Sequence, residues 1–169
     1  QIDEVRIYGA VVAPAQINSD LNEVHSCVAV DHYEINHDST GVSCLSDAVT
    51  ITAIDTGGNP VDPGNVTVNL SVAPISGDVV LPPAKGNWAR VIAGTGNLTN
   101  VVNDGTADFE FLGDGTSAVT FAFNYTQFES ANTTETINFD VDEPVSGTTD
   151  TRDSDPGTDP DLVFALAGF

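Results

Sequence analysis

The stretch Val66-Thr67-Val68-Asn69-Leu70 alternates apolar and polar side chains residue by residue, and Phe109-Glu110-Phe111 repeats this alternation. Successive side chains of a β-strand point to opposite faces, so a period of two predicts strands with one buried face. Turn signals flank these stretches, among them Asp62-Pro63-Gly64 and Asp114-Gly115. The pattern therefore predicts short strands joined by tight turns.

Similar runs rich in Val, Ile, Thr and Phe recur along the whole chain. Strands spaced in this way, with almost no helix, predict an all-β fold, an antiparallel Ig-like β-sandwich with flanking N- and C-terminal strands. One short helix is predicted at 14–24, where Ile17, Leu21 and Val24 share a face. The strands are predicted near 2–12, 28–36, 48–55, 65–72, 78–81, 89–93, 97–102, 107–112, 118–125, 135–141 and 162–166.

The charge balance excludes several classes of partner. The chain has 169 residues and carries four Lys+Arg against 25 Asp+Glu, a formal net charge of −21. Such a chain repels a phosphate backbone, which argues against nucleic acid, and it disfavours anionic lipid. No apolar run approaches the roughly 20 residues that cross a bilayer, so no membrane insertion is expected. A surface of mostly one sign tolerates salt and favours a saline extracellular setting.

Two cysteines, Cys27 and Cys44, are present. An even pair in a Lys-poor, Thr- and Asn-rich β sequence predicts one disulfide, which would close a loop of about 18 residues and contribute about 3 kcal/mol. The alternative is two buried thiols. A disulfide would imply export to an oxidising compartment.

The opening residues Ile2-Asp3-Glu4-Val5-Arg6-Ile7-Tyr8, followed by Pro14-Ala15-Gln16-Ile17, resemble the tail of a laminin-G/concanavalin-like jelly roll. The resemblance covers about the first 24 residues and implies a strand followed by a short helix. The family continues Tyr-Asn-Arg where this chain has Tyr8-Gly9-Ala10.

A second resemblance covers about residues 28–169. The motifs Val30-Asp31-His32-Tyr33, Gly41-Val42-Ser43-Cys44 and Val49-Thr50-Ile51-Thr52-Ala53 are similar to MshQ-like bacterial surface proteins, which are associated with type IV pili. The turn Gly58-Asn59-Pro60-Val61 resembles the bacterial Ig-like repeats of intimin and invasin stalks. These resemblances imply a structural or adhesive role on the cell surface.

Together these features predict four segments. Residues 1–27 hold the laminin-G-like tail strand and short helix, and residues 28–143 form the Ig-like sandwich. Residues 144–161 are rich in Asp, Thr, Pro and Gly and predict an acidic linker. Residues 162–169, LVFALAGF, predict a C-terminal strand.

The apolar segments at the two ends are expected to pair with something, because apolar strands rarely lie in water. Head-to-tail pairing between copies would build an open filament. The residues predicted to take part in strand exchange are Ile2, Val5, Ile7, Leu162, Val163 and Phe164.

A calcium site is the one metal hypothesis. Clustered carboxylates on a Pro- and Gly-rich loop suit a hard cation with oxygen ligands. An acidic, solvated linker explains the same residues and is the favoured interpretation. The candidate ligands are Asp140, Asp142, Asp150, Asp153, Asp155, Asp159 and Asp161.

No catalytic pattern is present, neither a G-x-S-x-G elbow, an H-E-x-x-H helix nor a phosphate-binding glycine loop. His32 and His37 are interpreted as surface or turn histidines, because their spacing on a strand suits a shared metal poorly. The leading prediction is thus a non-enzymatic extracellular structural or adhesion module that contacts its own copies or neighbouring domains, with no cofactor other than calcium. The alternative is a carbohydrate-binding module for a host or environmental glycan. Its platform would need aromatic side chains, and the sole tryptophan, Trp88, is predicted to lie in the core.

Overall fold

The computed structural model describes residues 29–43, 45–74, 86–125, 134–148 and 162–165. The regular structure in these ranges consists entirely of strands, which confirms the all-β prediction. The strands are β1 (Val30–Asn36), β2 (Thr40–Val42), β3 (Ser46–Asp55), β4 (Thr67–Pro74), β5 (Asn87–Ala93), β6 (Asn97–Thr99), β7 (Ala107–Glu110), β8 (Ala118–Asn124), β9 (Thr134–Asp142) and β10 (Leu162–Ala165).

The strands form two sheets that pack as a sandwich. The first sheet has the order β1-β3-β8-β5, and the second has the order β2-β10-β9-β4-β7-β6. All pairs of these strands are antiparallel except β2 and β10, which run parallel. Among the described strands, the predicted antiparallel arrangement therefore holds except at this one pair. β2 and β10 come from distant parts of the sequence, so no hairpin forces them to run in opposite directions.

The alternation in the sequence sets the core. Val68 and Leu70 of β4 are buried between the sheets, while Asn69 faces out. Phe109 of β7 is also buried, and so is Phe111, two residues further along the chain. The core therefore follows the period-two pattern from which strands were predicted.

Trp88 of β5 lies at the centre of this core with no exposed surface, as predicted. Its ring meets Phe121 and Phe123 of the same sheet at 5.5 and 5.1 Å and Phe139 of the other sheet at 5.2 Å. Its indole Nε1 donates to the Gly105 carbonyl at 2.8 Å. Tilted aromatic contacts of this kind add to the stabilisation that comes from burial, so this cluster ties the two sheets together.

The C-terminal strand predicted near 162–166 is β10, which lies inside the second sheet between β2 and β9. β2 was not predicted, since it is three residues long and has glycine at its centre, which weakens the strand signal. The predicted strands near 2–12 and 78–81, the helix at 14–24 and most of the predicted linker lie outside the described residues.

Candidate interaction site

The position that β10 fills in the second sheet, here called the β10 site, is the candidate interaction site. β10 pairs antiparallel with β9, with Leu162 opposite Ile137 and Ala165 opposite Thr134. On its other side it pairs parallel with β2, with Phe164 opposite Gly41. The site is thus a gap between two strands, and any chain that fills it gains a neighbour on each edge.

The inward face of the β10 site is apolar and closely fitted. Leu162 and Phe164 have no exposed surface. The Phe164 ring stacks on Tyr125 at 4.9 Å between centroids and lies 6.3 Å from Phe123. β10 is therefore part of the main core of the sandwich.

Gly41 makes room for the Phe164 ring. A Cβ added at Gly41 would lie 2.3 Å from the Phe164 Cε1 and 2.4 Å from the Asp47 Oδ2. The backbone of β2 consequently approaches the ring directly, an arrangement in which an aromatic side chain covers a cross-strand glycine. Because of this contact, the β10 site favours a strand that places an aromatic ring opposite Gly41.

Backbone hydrogen bonds clamp both ends of β10 to β2. The Val163 N–H donates to the Ser39 carbonyl at 3.2 Å, and the Ser43 N–H donates to the Ala165 carbonyl at 2.9 Å. Because main-chain groups make these bonds, they would hold any strand of matching length. The side chains of Leu162 and Phe164 supply the selectivity.

The Asp47 carboxylate lies next to Gly41 in the β10 site and interacts with two further charged side chains. Burial, with a further contribution from the negative charge of Asp38, raises the pKa of Asp47 above its usual value, while the Ala48 N–H and the charge of His37 act in the opposite direction. His37 is itself buried and lies edge-on to Phe139 at 5.6 Å. The Asp47 carboxylate beside Gly41 is therefore held in surroundings that disfavour its charged form.

Apolar side chains are exposed on the outer side of the same region. Val163 on β10 and Val42 on β2 are 38% and 39% exposed, and Leu45, just after β2, is 62% exposed. Val42 and Val163 lie on paired strands, and the Leu45 N–H donates to the Val42 carbonyl at 3.1 Å, so the three residues form a small exposed patch beside the β10 site.

The outer face of the second sheet carries carboxylates interleaved with amides. In register across three strands stand Asp142, Asn69 and Asp108. The Asn69 Nδ2 donates to the Asp108 Oδ1 at 2.6 Å, and the Asn100 Nδ2 donates to the Asp108 Oδ2. The neutral Asn69 side chain thus separates the two carboxylates, which would repel each other if they stood directly opposite on neighbouring strands.

Loop carboxylates are engaged by the backbone of their own turns. The Asp55 Oδ1 accepts hydrogen bonds from the N–H groups of Gly57 and Asn59, both at 2.8 Å. The Asp62 carboxylate accepts from the N–H groups of Gly64 and Gly115, which links two loops at 2.8 and 2.6 Å. The bonds to Asp55 favour its charged form, and the Asn59 N–H above all lowers its pKa. These acids thus stabilise turns.

Of the residues predicted for strand exchange, Leu162 and Phe164 point into the core and Val163 points outward. In the structure this strand pairs within its own chain. Ile2, Val5 and Ile7 lie outside the described residues. Sequence reasoning predicted neither β2 nor the contact of Gly41 with Phe164, because a three-residue strand centred on glycine leaves almost no pattern in the sequence.

The predicted calcium ligands divide into two groups. Asp140 and Asp142 lie two residues apart on the outer face of β9, where the Ser71 Oγ donates to the Asp140 Oδ2 at 3.3 Å. Over the described ranges, no group of three or more His, Cys, Asp or Glu side chains could hold a metal ion. Calcium binding stays a prediction, since the other predicted ligands lie outside those ranges: Asp150, Asp153, Asp155, Asp159 and Asp161.

Of three further predicted sites, two can be placed. Cys27 and Cys44 lie outside the described residues, so the disulfide stays a prediction. His32 is half-buried on β1 beside Asp31, with its Nδ1 2.9 Å from the carboxylate. His37 lies in the turn after β1, as one of the two interpretations had it, but it is not at the surface: its ring is buried and its Nδ1 accepts from the Ser39 N–H at 3.0 Å.

Among the described residues, none belongs to a helix that could cross a membrane. No family model matches the sequence, and no curated protein matches it.

Solved structures of other proteins resemble this chain weakly in shape. A cohesin module from a Clostridium perfringens family 33 glycoside hydrolase matches with a TM-score of 0.45 and 6% identity, covering 82% of this chain and 99% of that one. The ZirS C-terminal domain matches at 0.39 and 14%, covering 98% and 88%. The collagen-binding subdomain of the Enterococcus faecalis surface protein ACE matches at 0.32 and 10%, covering 79% and 96%. At these values the likenesses assign neither a ligand nor a role to this chain.

Proposed function

We propose that the chain is a non-enzymatic structural or adhesion module of a bacterial surface appendage or pilus-associated protein, linked to its neighbours through strands. The observation that carries this proposal is the β10 site. A sheet completed by a strand from a distant part of the sequence, with buried Leu162 and Phe164, is a joint through which one unit can be attached to the next.

The polar groups support the same role. Carboxylates such as those of Asp55, Asp62 and Asp108 bind backbone and amide groups of their own chain. These hydrogen bonds stabilise the loops and the outer sheet face, so these acidic residues contribute to the fold. Charge of one sign keeps such a module soluble, and salt screens its self-repulsion.

In the part of the chain that the structure describes, no feature favours carbohydrate binding. Trp88, the one tryptophan of the chain, is fully buried and packs against three phenylalanines. It therefore offers no face on which a sugar ring could stack.

Antibodies against the purified chain would test the proposed location on intact cells of the source organism. We expect gold label on the outer surface or on appendages in electron micrographs, without permeabilisation. An antibody against a cytoplasmic protein, which should give no label on intact cells, is the control. Label that appears only after permeabilisation would overturn the proposal.

A further inference from the structure

We propose that the β10 site is an exchange site that accepts the β10 segment of a second copy of this chain in place of its own. This inference rests on the proposed function and names the partner for the same site. It requires a site selective for this strand, a connection long enough to reach a neighbour, and an equal set of contacts in both arrangements.

The first requirement is met by the fit between Gly41 and Phe164. The ring occupies the space that a side chain at position 41 would need, and it stacks on Tyr125. Leu162 fills the core beside Ile137 of β9. A second copy carries the same residues at the same spacing, so it fits the site as well as the chain's own strand does.

The second requirement concerns the connection between β9 and β10, which comprises residues 143–161. To pair in its own sheet, the chain must return from Asp142 to the level of Ile137, roughly 17 Å along the strand. The turn that Glu143 closes with Thr148 takes up residues 143–148. The remaining residues, 149–161, would cover about 43 Å if fully extended. The connection can therefore span more than twice the distance that pairing within the chain requires, which leaves length for pairing with a second copy.

The third requirement is energetic. An exchanged strand makes the same hydrogen bonds and core contacts as the original one, so the balance between the two arrangements depends on concentration and on new contacts between copies. The exposed patch of Val42, Leu45 and Val163 borders the site and can be covered by the second copy. Repulsion between chains of net charge −21 opposes association, so added salt should favour exchange.

Complementary variants test the proposal. Gly41→Ala places a methyl group against the Phe164 ring, and Phe164→Ala removes that ring. Each variant alone has a badly fitted β10 site. If strands exchange between the two variants, one site combines both substitutions, so the added methyl group meets the space left by the ring. The Asp47 Oδ2 still lies close to that methyl group, so the relief in this site is partial. The other site regains the original glycine and phenylalanine, and its fit is restored completely.

The full-length variants would be mixed in equal amounts in 0.5 M NaCl, warmed to just below the lower Tm, and analysed by light scattering after gel filtration. We expect a species of twice the monomer mass with a Tm above that of either variant. The matched control is a mixture of Gly41→Ala with Val163→Ala. The Val163→Ala variant alters an outward-facing residue of β10 and keeps the Phe164 ring, so exchange in this mixture cannot relieve the clash at position 41. Monomers with unchanged Tm values in both mixtures would overturn the proposal.

A second measurement covers the case in which a variant does not fold. A fluorescent peptide of residues 161–169 would be added in excess to the unaltered full chain, which is then partly unfolded and refolded. We expect the peptide to be retained on gel filtration, and the same peptide with Phe164→Glu to be lost. Loss of both peptides would overturn the proposal. It would leave the surface-module proposal standing, because that is tested by labelling cells.

Discussion

The hydroxyl of Tyr33 on β1 donates a hydrogen bond to the Oε2 of Glu143, just after β9, at 3.3 Å. This bond joins the two sheets across a separation of 110 residues in the sequence. Tyr33 has no exposed surface and Glu143 is 8% exposed. The backbone of Glu143 also closes the following turn, since its N–H donates to the Thr148 carbonyl at 2.7 Å. The pair thus fixes where β9 ends and where the connection to β10 begins.

Tyr33→Phe should lower the free energy of unfolding by about 1–3 kcal/mol, because it removes a donor from a buried carboxylate. Urea unfolding monitored by circular dichroism measures the change. Glu143→Gln is the matched control: it keeps an acceptor for the tyrosine and should cost less. A Tyr33→Phe variant as stable as the unaltered chain would show that the bond contributes nothing.

The same bond predicts a loss of stability in alkali. Burial raises the pKa of Tyr33 above its usual value of 10.0, and the negative charge of Glu143 raises it further. The unfolded chain releases this proton near pH 10, whereas the folded chain retains it, so the stabilisation is complete below pH 10 and declines above it. The difference in stability between the unaltered chain and Tyr33→Phe should therefore shrink between pH 10 and 11. A constant difference across that range would contradict this account.

Asp47→Asn should stabilise the chain at pH 7. Burial and the charge of Asp38 raise the pKa of Asp47, so its ionised form is disfavoured in the folded state. The unfavourable contribution disappears as the pH falls through this raised pKa to below the ordinary value of 3.8, where the two proteins should become equally stable.

Asp55→Asn is the control of opposite sign. Backbone N–H groups, first that of Asn59, lower the pKa of Asp55, so its charged form is favoured in the folded state. The substitution should destabilise the chain at pH 7, and its effect should fade as the pH falls below 3.8. Thermal melts of both variants from pH 3 to 7 measure these trends, and effects of the same sign at pH 7 would contradict them.

Calcium binding to the acidic residues of 140–161 can be tested by thermal melting. If the loop binds calcium in the folded state, the Tm should be higher in 2 mM CaCl₂ than in chelator, because ligand binding stabilises the folded form. Magnesium at the same concentration is the matched control for screening. Equal melting temperatures in all three buffers would remove the calcium hypothesis.

Local patterns in the sequence predicted the strands and the core well. Val68, Leu70 and Phe109 are buried where the alternation places them, and Trp88 lies in the core as expected. A period of two is a property of each strand alone, so it can be recognised without knowledge of neighbours. This explains why strand positions were predicted better than strand partners.

The β10 site could be predicted only in part. The apolar residues Leu162 and Phe164 indicated a strand, but the sequence contains no local signal for its parallel partner β2. Gly41 acts through a close approach to a ring that is distant in sequence. The Tyr33–Glu143 bond was missed for the same reason, because Glu143 stands in a run of acids that carries no sign of burial.

A cysteine cross-link distinguishes most directly between pairing within one chain and pairing between chains. Thr40 and Val163 are partners in the β2–β10 ladder, so Thr40→Cys with Val163→Cys places two thiols side by side. Both changes would be made in a chain with Cys27→Ser and Cys44→Ser. The control is Thr50→Cys with Thr120→Cys in the same background, since these hydroxyls lie 2.9 Å apart between β3 and β8.

After warming to just below the Tm and oxidation in 0.5 M NaCl, non-reducing denaturing electrophoresis should show covalent dimers for the Thr40/Val163 pair and monomers for the Thr50/Thr120 pair. Cross-linked monomers alone for both pairs would contradict strand exchange as the joint between units.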